Sequence, residues 1–241
     1  MTKTNTAPAS NRCDDVVAAL KREILLQQYI PGDSLPPEEV LAQKFKVSRA
    51  MVREALGILK AQGYLESRRG KNGGTFVKNI LESGMLGDLF GDLILMGKMK
   101  ISDLMSARLL IEPEAAKLAA LHASSMDLQV LSDINDRVAA STSSKERVEN
   151  TVAFHVTLGG LSGNPFYDIS IRSFMNFTAA FAELFGFSDP YVHNDDAHNE
   201  ILEALVMRNP SLSYERMFVH VSSMKGAMRY QEKMYREAKL L

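Results

Sequence analysis

The stretch Ser34–Lys78, SLPPEEVLAQKFKVSRAMVREALGILKAQGYLESRRGKNGGTFVK, constrains the fold of this 241-residue chain more than any other. Pro37–Phe45 has the composition of a short helix. A proline stands in its first turn, Glu38 and Glu39 lie near the positive end of the helix dipole, and Val40, Leu41 and Phe45 form an apolar stripe. Ser48 suits an N-cap, and a second helix is predicted over Arg49–Gln62. Its Val52, Ala55, Leu56 and Leu59 recur at helical spacing, which leaves Arg49, Met51, Arg53 and Lys60 on other faces. Gly63 ends that helix, and Tyr64–Ser67 and Thr75–Val77 read as two strands around the basic, glycine-rich loop Arg68–Gly74. Two short helices joined by a tight turn and followed by such a hairpin make a winged helix-turn-helix pattern.

Charge points the same way. From Lys44 to Lys71 the basic residues are Lys44, Lys46, Arg49, Arg53, Lys60, Arg68, Arg69 and Lys71, against only Glu54 and Glu66. A surplus of this kind releases counterions from duplex DNA, and glycines let a wing backbone approach phosphate. The plainer alternative is a small helical domain with a solvated basic face. The whole segment resembles the winged-helix domain of the GntR family of bacterial transcription regulators, from about Val16 to about Asn79. That resemblance implies that Ser48, Arg49 and Arg53 on the second helix, and Arg69, Gly70 and Lys71 in the wing, contact operator DNA. One position departs from the pattern: Glu39 stands where family members usually carry an arginine, so the operator is expected to differ there.

The net charge of −1 hides an asymmetry, because the first 80 residues hold 13 Lys and Arg against 8 Asp and Glu. The remainder is therefore acidic, and all five histidines lie in it. Cys13 is the single cysteine, so no internal disulfide can form. No apolar run is long enough to span a bilayer and no signal peptide is evident, which predicts a cytoplasmic protein with no membrane partner. Residues 1–11 are polar and read as a disordered tail.

After the tail the expected organisation is mainly α: a winged helix-turn-helix at 12–79 and an all-α bundle at 80–241. A first helix is predicted over Cys13–Gln28, with Val16, Val17, Leu20, Ile24 and Leu25 as its apolar stripe. Beyond the wing no alternating strand is found. Helices are predicted over Met85–Met96, Ile101–Ala123, Met126–Ala140, Lys145–Leu161, Pro165–Phe187, Pro190–Arg208 and Pro210–Lys239. Gly163-Asn164-Pro165, Ser188-Asp189-Pro190 and Asn209-Pro210 each set a turn or cap residue before a proline at a helix start. Antiparallel helices with short connections make a bundle, in which ligand sites are built from facing side chains. The numerous methionines are expected to fill the core in preference to lining a pocket.

His155, His198 and His220 fall on three different predicted helices. Neutral imidazoles converging from separate helices can form one face of a metal's coordination sphere, although distant histidines are as a rule satisfied separately. Residues Leu81–Tyr235 resemble the all-helical FCD effector domain of the FadR-like branch of the same family. The resemblance rests on Arg108-Leu109-Leu110-Ile111-Glu112 with Ala119-Ala120, Phe154-His155 followed by Ser162-Gly163-Asn164-Pro165, His198 with Ile201 and Ala204, and His220. It implies a divalent metal, zinc or nickel, held by His155, His198 and His220. The aspartate that it also implies, one turn before His155, is replaced by Thr151, and a neutral hydroxyl there weakens metal binding unless another group completes the shell.

By the same resemblance Arg108 lies near the effector and could clamp an organic acid; the alternative is an i,i+4 pair with Glu112. Arg172 is a second effector-binding candidate. His122 and His193 are read as surface groups. Together these features describe a homodimeric regulator that reads a palindromic operator and loses DNA affinity on binding a small carboxylate. A metal-free or acyl-ligand-responsive regulator acting as an activator stays open. So do a wing that meets protein and a metal-dependent hydrolase, although the last lacks HExxH, G-x-S-x-G and Walker signatures.

Overall fold

The computed structural model describes residues 9–70, 73–79, 84–185 and 195–239, and the chain divides into two compact units, Met1–Ser83 and Gly84–Leu241. In the first unit α1 spans Ala9–Leu25, α2 Glu38–Phe45 and α3 Arg49–Ala61, followed by β1 at Leu65–Arg68 and β2 at Gly74–Val77. Cys13, Val16, Leu20 and Ile24 recur at helical spacing on α1 and are buried with Val52, Ala55, Leu56 and Leu59 of α3 and Leu41 of α2. Each of the buried valine, leucine and isoleucine side chains contributes roughly 1.5–3 kcal/mol relative to exposure. Lys46 ends α2 in the left-handed conformation at φ 55, and Ser48 then caps α3 by accepting a hydrogen bond from the Met51 amide at 3.2 Å.

The wing is an antiparallel hairpin that pairs Leu65 with Val77 and Arg68 with Gly74. Gly70 adopts φ +110, and a Cβ on Gly73 would lie 2.6 Å from the Arg68 carbonyl oxygen, so the turn accepts only glycine at these two places without rearrangement. Two expectations need correction here. The first helix begins at Ala9, inside the stretch expected to be a tail, and stops at Leu25 instead of Gln28, because Gln27 turns to φ 58.

The second unit is all helical among the described residues: α4 Met85–Leu95, α5 Ile101–His122, α6 Ser125–Ala140, α7 Ser144–Leu161, α8 Pro165–Phe185, α9 Asp195–Val206 and α10 Pro210–Lys239. The expected start of α9 at Pro190 lies outside the described residues, as does His193; the helix is seen from Asp195 to Val206, short of Arg208, which adopts φ 53. Helix α5 forms the spine. Its Ala115, Ala116, Ala119 and Ala120 are small enough for neighbours to approach closely, and it packs along α10 while α7 lies against α6 and α8. Ser124 and Asp127 cap α6 reciprocally, and Asn209 accepts from the Leu212 amide at the start of α10. Met105, Met175, Met217, Met224 and Met228 are buried in the core, whereas Met85, Met96 and Met207 are exposed.

Candidate functional sites

In the first unit the side chains expected to meet DNA stand at the solvent-facing start of α3. Arg49 is exposed, and so is Arg53 one turn later, on the helix whose opposite side is held in the core by Val52, Leu56 and Leu59. Arg53 is bound within the chain. Its Nη2 and Nε donate to the two carboxylate oxygens of Glu38 at 2.8 and 3.2 Å, a bidentate pair that bridges α2 and α3. The hydrogen bond from Arg53 holds the Glu38 carboxyl below its ordinary range. Glu39, beside it, is exposed. Arg69 and Gly70 sit exposed at the wing, while Lys71 lies outside the described residues. Arg68, which was not among the expected contacts, is tethered to Glu66 at 2.7 Å and stacks 4.3 Å over the Phe76 ring.

In the second unit the three histidines converge. His155 on α7 lies beside Phe154 and Leu158 on a buried face, His198 on α9 shares its face with Ile201 and Leu205, and His220 on α10 sits among Met217, Val221 and Met224. All three are at most 2 % exposed, and one nitrogen from each lies within 4.8 Å of the others. The Nε2 atoms of His155 and His220 are 3.2 Å apart. Two nitrogens held by one tetrahedral zinc would be separated by about 3.3 Å. Phe154 stacks on His198 with centroids 4.3 Å apart and fixes that ring's plane.

Helix α5 supplies the group that orients His155. Glu112 is fully buried, and its Oε2 lies 2.8 Å from the His155 Nδ1. A carboxylate oxygen at that distance favours the proton on Nδ1, which leaves Nε2, the nitrogen 3.2 Å from His220, as the lone-pair atom of the cluster. Burial by itself would raise the Glu112 carboxyl, but the Arg108 charge and the facing imidazole outweigh it and hold it down at about 2. Arg108 donates to Glu112 through Nε at 2.5 Å and Nη2 at 3.4 Å, and through Nη1 to the Met105 sulfur at 3.9 Å. The structure therefore has the i,i+4 geometry for Arg108, at 1 % exposure instead of on the surface.

Glu112 escaped attention in the sequence as a partner of His155. The available signal was its setting, an acid between Ile111 and Pro113 in an apolar run. Arg172 on α8 pairs with Asp168 at 3.1 Å and takes no part in the hydrogen bonds of the histidine cluster. His122 is exposed as expected, and its Nδ1 donates to the Ser162 carbonyl at 2.9 Å. Thr151, one turn before His155 and on the same helix face, is buried with its hydroxyl unpartnered.

This combination of a winged helix-turn-helix and a histidine-centred helical bundle defines a two-part bacterial regulator. Residues 13–77 match the family described as bacterial regulatory proteins, gntR family, and residues 103–223 match the FCD domain. The chain belongs to the gntR family, and its second half carries an FCD domain. It is 35% identical over 135 residues to the HTH-type transcriptional regulator LutR of Bacillus subtilis, covering 56% of this chain and 60% of that protein. It is 30% identical over 151 residues to the galactonate operon transcriptional repressor of Escherichia coli, covering 60% and 64%. The matches thus span less than two thirds of these relatives. Among solved structures, Streptococcus agalactiae GntR superposes with a TM-score of 0.67 at 26% identity, over 88% of this chain and 98% of that one. The family and these relatives are regulators of transcription, not enzymes, so the hydrolase reading is set aside.

Proposed function

We propose that the chain is a homodimeric, cytoplasmic repressor of transcription that binds a palindromic operator through its winged helices and releases it when the bundle takes up a small carboxylate beside a divalent metal. The observation that carries the reading is the buried convergence of His155, His198 and His220 in a chain whose first unit presents Arg49 and Arg53 to solvent. Ser48 fixes the start of α3, which lets Arg49 and Arg53 enter the major groove, while Arg69, Gly70 and Lys71 meet the phosphate backbone beside it. The exposed apolar face of α4, with Met85, Leu86 and Leu89, supports self-association. Among the described residues no helix is long and apolar enough to cross a membrane.

The donor set fits zinc or nickel: three buried imidazoles, one with its tautomer set by Glu112, and an orphaned threonine hydroxyl. When bound, the ion supplies a Lewis-acid seat for a carboxylate oxygen. Arg108 acts on the ligand indirectly, by keeping Glu112 charged and His155 in place. Arg172 is the more accessible cation for a ligand carboxylate, because its pair with Asp168 is only partly buried.

The test is selection of duplexes from a random pool by the intact protein, then binding of the enriched duplex by fluorescence anisotropy. Affinity should fall steeply with salt, drop at least tenfold for Arg49→Ala, and weaken in the presence of a subset of sugar acids and hydroxy acids. Failure to enrich any duplex would sink the DNA reading, and an enriched duplex indifferent to every acid would sink the effector class.

A further inference from the structure

The chain holds an anion of its own against one of the arginines that α3 presents to solvent. Glu38 stands in the first turn of α2, where the positive end of the helix favours its charge, and it pairs across the turn with Arg53 on α3. The positive charges of Arg49 and Lys60 act on the same carboxylate. Arg53 gives its Nε proton and one Nη2 proton to the pair, which leaves Nη1 and the second Nη2 proton at the end of a mostly exposed side chain. That end is an edge with which a guanidinium can grip the O6 and N7 of a guanine. Taken together, Arg53 and Glu38 are neutral.

A phosphate and a guanine make different demands on such an arginine. A phosphate is drawn by charge, and the carboxylate has already matched the charge of Arg53. To take Arg53 for itself it must replace Glu38, so one anion is exchanged for another and little is gained. A guanine is neutral and asks for two aligned donors, and it adds its bonds to a pair that stays made. Resting on the reading that Arg53 meets DNA, we propose that Glu38 is a specificity-determining residue, which turns Arg53 from a contact for any phosphate into a reader of guanine. Glu38 acts through Arg53 and is a positioning residue, touching neither base nor backbone. Sequence preference then rises because wrong registers are weakened, while the right one is left nearly as it was.

The intact protein is titrated by anisotropy against the duplex enriched from the random pool and against a scrambled duplex of the same length and composition. Glu38→Gln and Glu38→Ala are compared with wild type, each with and without Arg53→Ala. Both Glu38 variants should bind the scrambled duplex about threefold or more tighter, with a much smaller gain on the enriched one, so that the ratio of the two affinities falls. On the scrambled duplex the slope of log affinity against log salt should steepen by about one, as Arg53 becomes an added phosphate contact. In the Arg53→Ala background the same substitutions should leave ratio and slope where they were. A ratio and slope unmoved by both variants overturns the inference, and so does a fall of equal size with and without Arg53, since Glu38 would then act as a plain surface charge. A lower ratio that comes only from weaker binding of the enriched duplex overturns it too, because Glu38 would then merely support α3. These results leave the DNA reading standing, whereas Arg53→Ala that binds both duplexes as wild type does overturns the placement of Arg53 on DNA. Should one Glu38 variant fail to fold, the other decides alone.

Discussion

Among the described residues, each unit of this protein holds an arginine that grips both carboxylate oxygens of a glutamate, and the two pairs differ chiefly in where they stand. Arg53 and Glu38 face solvent, with side chains 69 % and 30 % exposed, whereas Arg108 and Glu112 are each 1 % exposed. Water and salt screen the first pair, so its arginine can exchange one anionic partner for another at little cost. The second pair has been taken out of water, and either member left alone would be a bare buried charge. The same two side chains thus make a releasable contact on the DNA-facing unit and a fixed one beneath the histidines.

The sharpest way to break this comparison is Glu112→Ala in chelator-treated protein. Unfolding of the bundle in urea should show a loss of about 3–5 kcal/mol, because Arg108 is stranded, and Arg108→Met combined with Glu112→Leu should recover most of it. A loss below about 1 kcal/mol would mean that the buried pair is not isolated from water. Smaller, and confined to the first unit, is Ser48→Ala. Loss of the cap on α3 should cost about 1 kcal/mol in the unfolding of that unit, with no effect on the bundle transition. Smallest in stability is Arg53→Ala, expected to leave the melting temperature nearly unchanged, yet to weaken binding of the selected duplex by roughly tenfold in anisotropy titrations. If Arg53→Ala destabilised as much as Glu112→Ala, burial would not be what separates the two pairs.

Much of the fold was legible because its boundaries are written in local chemistry. Ser48, Pro165 and Pro210 each mark a helix start that the structure places at the same residue or its neighbour. The first helix was misplaced at both ends for a related reason. Ser10 and Asn11 are helix-start residues by type but stand in a polar stretch with no apolar stripe to read, and the left-handed turn at Gln27 uses a residue with no particular preference for it. The histidines could be gathered into one site only through the family pattern, since spacing along separate helices does not reveal which faces meet. Glu112 was hidden more deeply. In sequence, Arg108 and Glu112 look like any surface i,i+4 pair, and only packing by α7 and α10 against α5 makes them an interior one.

The Arg108–Glu112 pair also bears on how chains of this kind can change over generations. Substituting either residue alone passes through a poorly folded intermediate, so the pair is lost only when two substitutions arrive together or when a neighbour first compensates. Thr151 is under no such lock, since its hydroxyl holds nothing in place. A lineage can therefore retune or abandon the centre at position 151 in single steps while the charged scaffold under His155 persists, and a retained arginine–glutamate pair is evidence of ancestry more than of a bound metal.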